Sequence, residues 1–254
     1  TRLFDRQGSR ISLTESGNLL LEHCERILED YKRLEYEMHL LHNEYTGGLK
    51  LGASTTIAQY VLPPLLASFI GKFPQVSLSL LNGNSREIEA ALQEHRIDLG
   101  FVEGVFRLPN IRYTTFLEDE LVAVVRTGSK LAVGEEITPD ELFHLPLVLR
   151  ERGSGTLDVF ERALQQHNIK LSSLQVLMYL GSTESIKLFL EHTDCLGIVS
   201  VRSITRELYS GQLRVVEIKG MPMLRDFSFA QPQGQESGLA QVFMQFAMHN
   251  NHKL

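Results

Sequence analysis

The sequence predicts an α/β protein of two lobes, preceded by a basic hairpin and one long helix, and three observations carry that expectation. From Leu49 onward, short apolar strands alternate with amphipathic helices in two successive series. Repeated βα units argue for parallel sheets with helices on both faces. Ahead of them, an unbroken heptad seam runs along one helix. At the strand-to-helix junctions, small hydroxyl residues recur.

The elements follow in order. Leu3-Phe4 and Ile11-Ser12-Leu13 flank Gln7-Gly8-Ser9, which reads as a short hairpin over residues 1–13. Arg2, Arg6 and Arg10 make it basic, against Asp5. A helix is expected over 14–46, capped by Thr14, carrying Glu15 in its first turn and stopped by Gly47-Gly48. Its seam is Leu20, Cys24, Ile27, Tyr31, Leu34, Met38, Leu41 and Tyr45, spaced alternately by four and three. Such a seam needs a second helix over it, either from another copy of the chain or from the surface of its own domain. Tyrosines at the a positions fit a parallel two-stranded zipper poorly, and Glu35, Glu37 and Glu44 would face like charges there. An antiparallel partner, or more than one, is expected.

The first βα series comprises strands at Leu49–Ala53, Val76–Leu81 and Ile97–Val102, with helices at Ile57–Lys72 and Ser85–Glu94 and a further strand at Leu121–Arg126. Pro63-Pro64 imply a kink or a late start in the first helix. The second series has strands at Leu147–Arg150, Gln175–Leu180, Gly197–Ser200 and Leu213–Ile218, with helices at Thr156–His167 and Thr183–Glu191. A returning strand, Leu224–Ala230, and a closing helix, Gly238–Met248, suggest two crossings between the lobes, near Leu121–Gly128 and Leu224–Gln231. The expected lobes are 49–124 plus 228–254, and 125–227.

At this point the chain resembles the LysR-type transcriptional regulators. The string Leu3-Phe4, Arg6, Leu13-Thr14, Gly17 is similar to the wing that precedes the linker helix in that family. Gly52–Thr56, Phe73-Pro74, Ile97–Gly100 and Cys195–Ser200 stand in the order in which the family carries similar strings. The resemblance implies two Rossmann-like lobes of periplasmic-binding-protein type, joined by two crossover strands. It implies a cytoplasmic homodimer or homotetramer that binds DNA through a winged helix-turn-helix, with RNA polymerase as a candidate partner. The chain opens at Thr1 inside the wing motif, so the family's DNA-reading helices are expected upstream, with Arg2, Arg6 and Arg10 touching phosphate.

The chemistry lies at the βα junctions. Ser54-Thr55-Thr56, Asn84-Ser85, Gly153-Ser154-Gly155-Thr156 and Thr183 place hydroxyls and amides at helix N-termini, where free N–H groups favour anions. The same residue types are also the commonest helix caps. Four such junctions at strand ends point to a ligand cleft between the lobes, lined with neutral donors and few carboxylates. Arg150 is either an anion contact or half of a solvated pair around Glu151. Glu103 either binds a ligand hydroxyl or amine or pairs with an arginine. By position in their loops, the resemblance implies that Ser54, Thr56 and Ser85 contact the effector, a small anionic metabolite.

Other classes lack a signature. Gly153-Ser-Gly is neither a nucleophile elbow nor a P-loop, the nine histidines show no metal spacing, and no cofactor motif is present. The reading is therefore not an enzyme. Two cysteines give no disulfide framework, and no stretch approaches about 18 consecutive apolar residues. A net charge of −6 gives no global pull on nucleic acid. The alternative is a solute-binding transport receptor built on the same two lobes.

Overall fold

The computed structural model describes residues 1–251, apart from 8–9, 43–44, 132–133 and 234–237. The side chains of residues 7, 10, 25, 29, 32, 33, 35–37 and 39–42 also fall outside the description. The chain divides into two compact units, Thr1–Thr46 and Gly47–Leu254.

In the first unit, strands β1 (Phe4–Gln7) and β2 (Arg10–Leu13) pair antiparallel, Phe4 opposite Leu13. The helix α1 follows over Glu15–His42. Thr14 joins the two. Its backbone N–H donates to Leu3 O at 3.0 Å, and its Oγ1 accepts from Gly17 N–H at 3.0 Å and donates to Arg2 O at 2.8 Å. The Leu-Thr-x-x-Gly string thus has a steric basis. A Cβ on Gly17 would lie 2.1 Å from Leu3 O, so the first helical turn can approach the hairpin only at a glycine. The helix ends earlier than the expected 46, and its 28 residues make a rod of about 42 Å. Leu20, Ile27, Tyr31, Leu34 and Met38 are about half exposed or more, and Cys24 is exposed as well. The Leu41 and Arg10 side chains lie outside the described residues. Arg2 lies 3.5 Å from Asp5.

The second unit begins with β3 (Gly47–Ser54), α2 (Thr55–Tyr60) and α3 (Leu62–Lys72). The single helix expected over Ile57–Lys72 is broken at Val61, just ahead of the prolines. Proline stands in the first turn of α3, where the N–H it lacks has no helical acceptor. Next come β4 (Val76–Gly83), α4 (Ser85–Gln93), β5 (Leu99–Glu103) and the long β6 (Ile111–Arg126). The second series comprises β7 (Glu136–Ile137), β8 (Pro146–Arg150), α5 (Gly155–Gln166), β9 (Gln175–Leu180), α6 (Thr183–His192) and β10 (Leu196–Ser200). It closes with α7 (Thr205–Tyr209), β11 (Leu213–Ile218), β12 (Leu224–Pro232) and α8 (Gly238–Asn250). The pieces absent from the sequence reading are β7, α7 and the first part of β6.

The strand order is β4-β3-β5-β12-β6-β10-β8-β9, with β11 also on β6. Strand β3 runs parallel to β4 and β5, and β8 parallel to β9 and β10, so the first strands of each series end side by side. The crossings are β6 and β12. Over Ile111–Glu120, β6 pairs antiparallel with β12; over Leu121–Arg126 it pairs with β10 and β11. By strand pairing, the first crossing therefore falls at Glu120/Leu121, ahead of the 124/125 boundary expected from the sequence. The hydrophobic run Leu121–Arg126 was legible, but its partners were not.

Two apolar cores flank the sheet of the second series, one built around Leu147, Phe160 and Ile198, the other around Val148, Ile186 and Val199. In the first series, Phe69, Phe73, Phe101, Phe229, Phe243 and Phe246 pack with ring centroids 4.6–6.2 Å apart. Burying each such ring is worth about 1.5–3 kcal/mol. Cys195 lies in the second core, and burial pushes its thiol up to about 11. Thiol labelling of the native protein at pH 8 is expected to leave Cys195 unreacted until the chain unfolds. A native Cys195 that labels at the rate of a free thiol would contradict this packing.

Candidate functional site

The βα junctions place the expected residues as follows. Ser54 Oγ accepts from Ile57 N–H at 3.5 Å, Ser154 Oγ from Thr156 N–H at 3.2 Å, and Ser182 Oγ from Ser185 N–H at 3.1 Å. Asn84 forms a capping box with Glu87. These four side chains serve as helix caps. Thr55 is buried, and its Oγ1 has no hydrogen-bond partner.

The other residues converge on Glu103, at the end of β5. Ser85 Oγ donates to Glu103 O at 2.9 Å and accepts from Glu103 N–H at 3.2 Å. Thr56 Oγ1, from the first series, donates to Glu103 Oε1 at 3.2 Å. Thr156 Oγ1, from the second, donates to the same oxygen at 3.4 Å. Arg225 Nη1 lies 3.2 Å from Glu103 Oε1 and donates to Thr156 Oγ1 at 3.0 Å. Glu103 Oε2 is buried without a hydrogen-bond partner. An unsatisfied buried acceptor costs about 1–3 kcal/mol.

The arginine is held from behind. Its Nε donates to Asp119 Oδ2 at 2.7 Å, and Ser200 Oγ donates to Asp119 Oδ1, also at 2.7 Å. Arg225 and Asp119 stand directly opposite each other across the β12–β6 pair. The side chains of Glu103, Asp119 and Arg225 are at most 1% exposed. Arg202, partly exposed, lies 3.6 Å from Asp119 Oδ1, so two carboxylates meet one buried and one partly exposed guanidinium. The expectation of a cleft lined by neutral donors with few carboxylates is therefore corrected: the donors meet a buried charge cluster.

The lobes touch closely here. A Cβ on Gly155 would lie 2.2 Å from Glu103 O, and one on Gly104 would lie 2.9 Å from the Gly155 Cα. Gly153, at φ +92°, offers its carbonyl to Arg86 N–H at 3.3 Å. A cavity of about 350 Å3 adjoins the cluster, lined in part by Gly104, Val105, Arg107, Asp119 and Arg225. That is room for a small molecule.

Arg150 and Thr183 form a second group. Arg150 is buried at 1% exposure, so the solvated pair is excluded. Its Nε and Nη2 donate bidentately to Glu151 at 2.8 and 3.0 Å, and its Nη1 donates to Thr183 Oγ1 at 3.4 Å. Nearby, Tyr60 of α2 donates a hydrogen bond to Glu184 of α6, a further contact between the lobes. Lys187 lies 2.7 Å from Glu184 and 2.8 Å from Glu207. Burial, then the bond to Glu184, raises the Tyr60 hydroxyl above its ordinary pKa. Burial alone would raise Glu184, but Lys187 and Tyr60 outweigh it and hold that carboxyl below its ordinary value. Among the described residues, no cluster of His, Cys, Asp or Glu is arranged to hold a metal.

Sequence reading missed Arg225 and Asp119. Arg225 shares the period-two phase of buried Phe227 and Phe229, while Leu224 is exposed, so the alternation marked it for burial. Asp119, within Glu118-Asp119-Glu120, looks like part of a solvated acidic run.

Two α/β lobes joined by paired crossing strands, with side chains of both lobes meeting at strand ends, define a small-molecule-binding domain of periplasmic-binding-protein type. Residues 42–251 match the family model of the LysR substrate binding domain, and the chain belongs to that family of transcriptional regulators. It is 35% identical over 217 residues to the uncharacterized HTH-type transcriptional regulator YeiE of Escherichia coli K12, covering 85% of this chain and 71% of that protein. It resembles the CcmR regulatory domain of Synechocystis PCC6803 in complex with 2-PG, at a TM-score of 0.72 and 28% identity, covering 80% of this chain and 97% of that one. The effector-binding domain of QuiR in complex with shikimate shares the fold at a TM-score of 0.72 and 19% identity, over 82% and 99% of the two chains. These relatives favour a transcription regulator over a transport receptor. Among the described residues, no helix is long and apolar enough to cross a membrane.

Proposed function

We propose that this chain is the sensing part of a transcription regulator that holds a small anionic effector between its lobes. One observation carries the reading: hydroxyls from both lobes, Thr56 and Thr156, and the Arg225 guanidinium converge on a single carboxylate oxygen. Hydroxyl and guanidinium donors arranged around one oxygen are the chemistry of an oxyanion or carboxylate seat. The CcmR regulatory domain, which is in complex with 2-PG, supports a small-molecule ligand for this fold. Ser54, Thr55, Asn84, Ser85, Ser154, Gly153 and Gly155 shape the seat as caps and close-packed turns. Arg150 and Thr183 act from the second group.

A ligand touching both lobes favours their closed arrangement by the difference in its affinity for the open and closed states. In this reading the lobes relay that difference through α1 to an upstream DNA-binding domain. The protein is a cytoplasmic homodimer or homotetramer joined through Leu20, Cys24, Ile27, Tyr31, Leu34, Met38 and Leu41. DNA and RNA polymerase are partners of the longer protein, Arg2, Arg6 and Arg10 add phosphate contacts, and the chain catalyses no reaction.

The test is a thermal-shift screen of small anions followed by calorimetry, because a ligand that binds only the native state raises its stability. Thr56→Val keeps the shape and removes one donor. It should weaken the best anion by about 1 kcal/mol, roughly fivefold. If Thr56→Val and Ser85→Ala both leave affinity unchanged, the effector does not sit at these strand ends.

A further inference from the structure

We propose that Glu103 is a tethered occupant of the anion seat, and that an effector's anionic group binds by displacing its carboxylate. The inference rests on the effector reading above and adds what the effector must compete with. The donors assembled from the two lobes are already engaged: Thr56 Oγ1 at 3.2 Å, Thr156 Oγ1 at 3.4 Å and Arg225 Nη1 at 3.2 Å all meet Glu103 Oε1. A free carboxylate or oxyanion would receive the same three contacts.

The tethered group fills the seat imperfectly. Its second oxygen, Oε2, is enclosed without a hydrogen-bond partner, and so is Thr55 Oγ1. An effector with several oxygens can satisfy groups that a carboxylate fixed to β5 leaves unmet. Charge argues for exchange over addition. Glu103 and Asp119 are already matched by Arg225 and by Arg202, which lies 3.6 Å from Asp119, so a further anion placed beside a seated Glu103 carboxylate meets like charge at low dielectric with no cation of the cluster left unpaired. The cavity beside Arg225 offers space for the rest of the molecule. Self-occupancy acts as a tax: apparent affinity falls in proportion to the fraction of molecules whose seat is free. The effector class is thus a small polyoxygen anion able to outcompete an intramolecular carboxylate.

The probe is sodium sulfate, titrated calorimetrically at constant ionic strength into the wild-type chain, Glu103→Gln, Glu103→Ala, Thr56→Val and Glu94→Gln. Both Glu103 variants should bind sulfate about tenfold more tightly than wild type. Glu94→Gln removes an exposed charge, paired with Arg96 and away from the cavity, and should change affinity less than about twofold. Acetate, a free carboxylate, should raise the melting temperature of Glu103→Ala and leave wild type unmoved. Sulfate affinity that is unchanged or weaker in the Glu103 variants overturns the proposal. If Thr56→Val still weakens sulfate in that case, the seat stands and only the displacement fails. If Thr56→Val is also silent, both readings fall. Should Glu103→Ala not fold, the isosteric Glu103→Gln decides.

Discussion

Arg225→Leu is expected to cost about 3–5 kcal/mol of folding stability, because it leaves buried Glu103 without its cation and Asp119 with Arg202 alone, at 3.6 Å. Arg225 bridges Glu103 of the first series and Asp119 of the crossing strand, and its guanidinium lies 5.1 Å from the Phe227 ring centroid. Each of the three charged side chains is at most 1% exposed. For a unit of this size the loss corresponds to a drop of about 10 °C in melting temperature. Urea unfolding followed by circular dichroism measures it. The combination Arg225→Leu, Glu103→Gln and Asp119→Asn removes all three charges and should recover much of the loss, since the penalty belongs to the unpaired charges. A loss below about 1 kcal/mol in the single variant would mean that water reaches the cluster.

Ile27→Asp with Leu34→Asp should break the assembly. Both side chains lie on the seam of α1, and both are more than half exposed in the single chain. A helix of 28 residues carrying such a stripe has a strong drive to bury it. Carboxylates placed in a dry seam cost several kcal/mol, enough to dissociate an oligomer at micromolar concentration. Light scattering should report an oligomer for the unchanged chain and a monomer for the variant, with the circular dichroism of the α/β unit retained. An unchanged chain that already runs as a monomer at micromolar concentration refutes the oligomerisation reading.

Much of the fold was legible because local pattern and tertiary role agree in most elements. Strands Gln175–Leu180 and Leu213–Ile218 have the bounds that alternation and turn residues mark. Gly17 was legible as a motif letter, and its cause, the approach of Leu3 O, needed coordinates. Strand β6 was harder. Its first part mixes charged and apolar residues because its partner changes from β12 to β10 and β11 along its length, and periodicity does not encode a change of partner.

The candidate site was legible in one layer only. Ser54, Asn84 and Ser154 could be read as caps from residue type and position. Thr56, Ser85 and Thr156 could be placed at strand ends. That these hydroxyls meet at Glu103 was not legible, and neither was Arg225, which the crossing strand brings to Glu103 and Thr156 from the far end of the sequence. A residue contributed by a returning strand carries no local signal beyond its phase beside Phe227 and Phe229.

Hydrogen exchange on the unmodified chain, with and without the best anion from the screen, tests the central claim most directly, because it locates the ligand without presuming its contacts. The account predicts new protection at Thr55–Tyr60, at the start of Gly155–Gln166 and around Glu103, on both lobes at once. Protection confined to one lobe, or centred on the separate cavity of about 440 Å3 between Leu121–Ala123 and Val215–Met223, would contradict it.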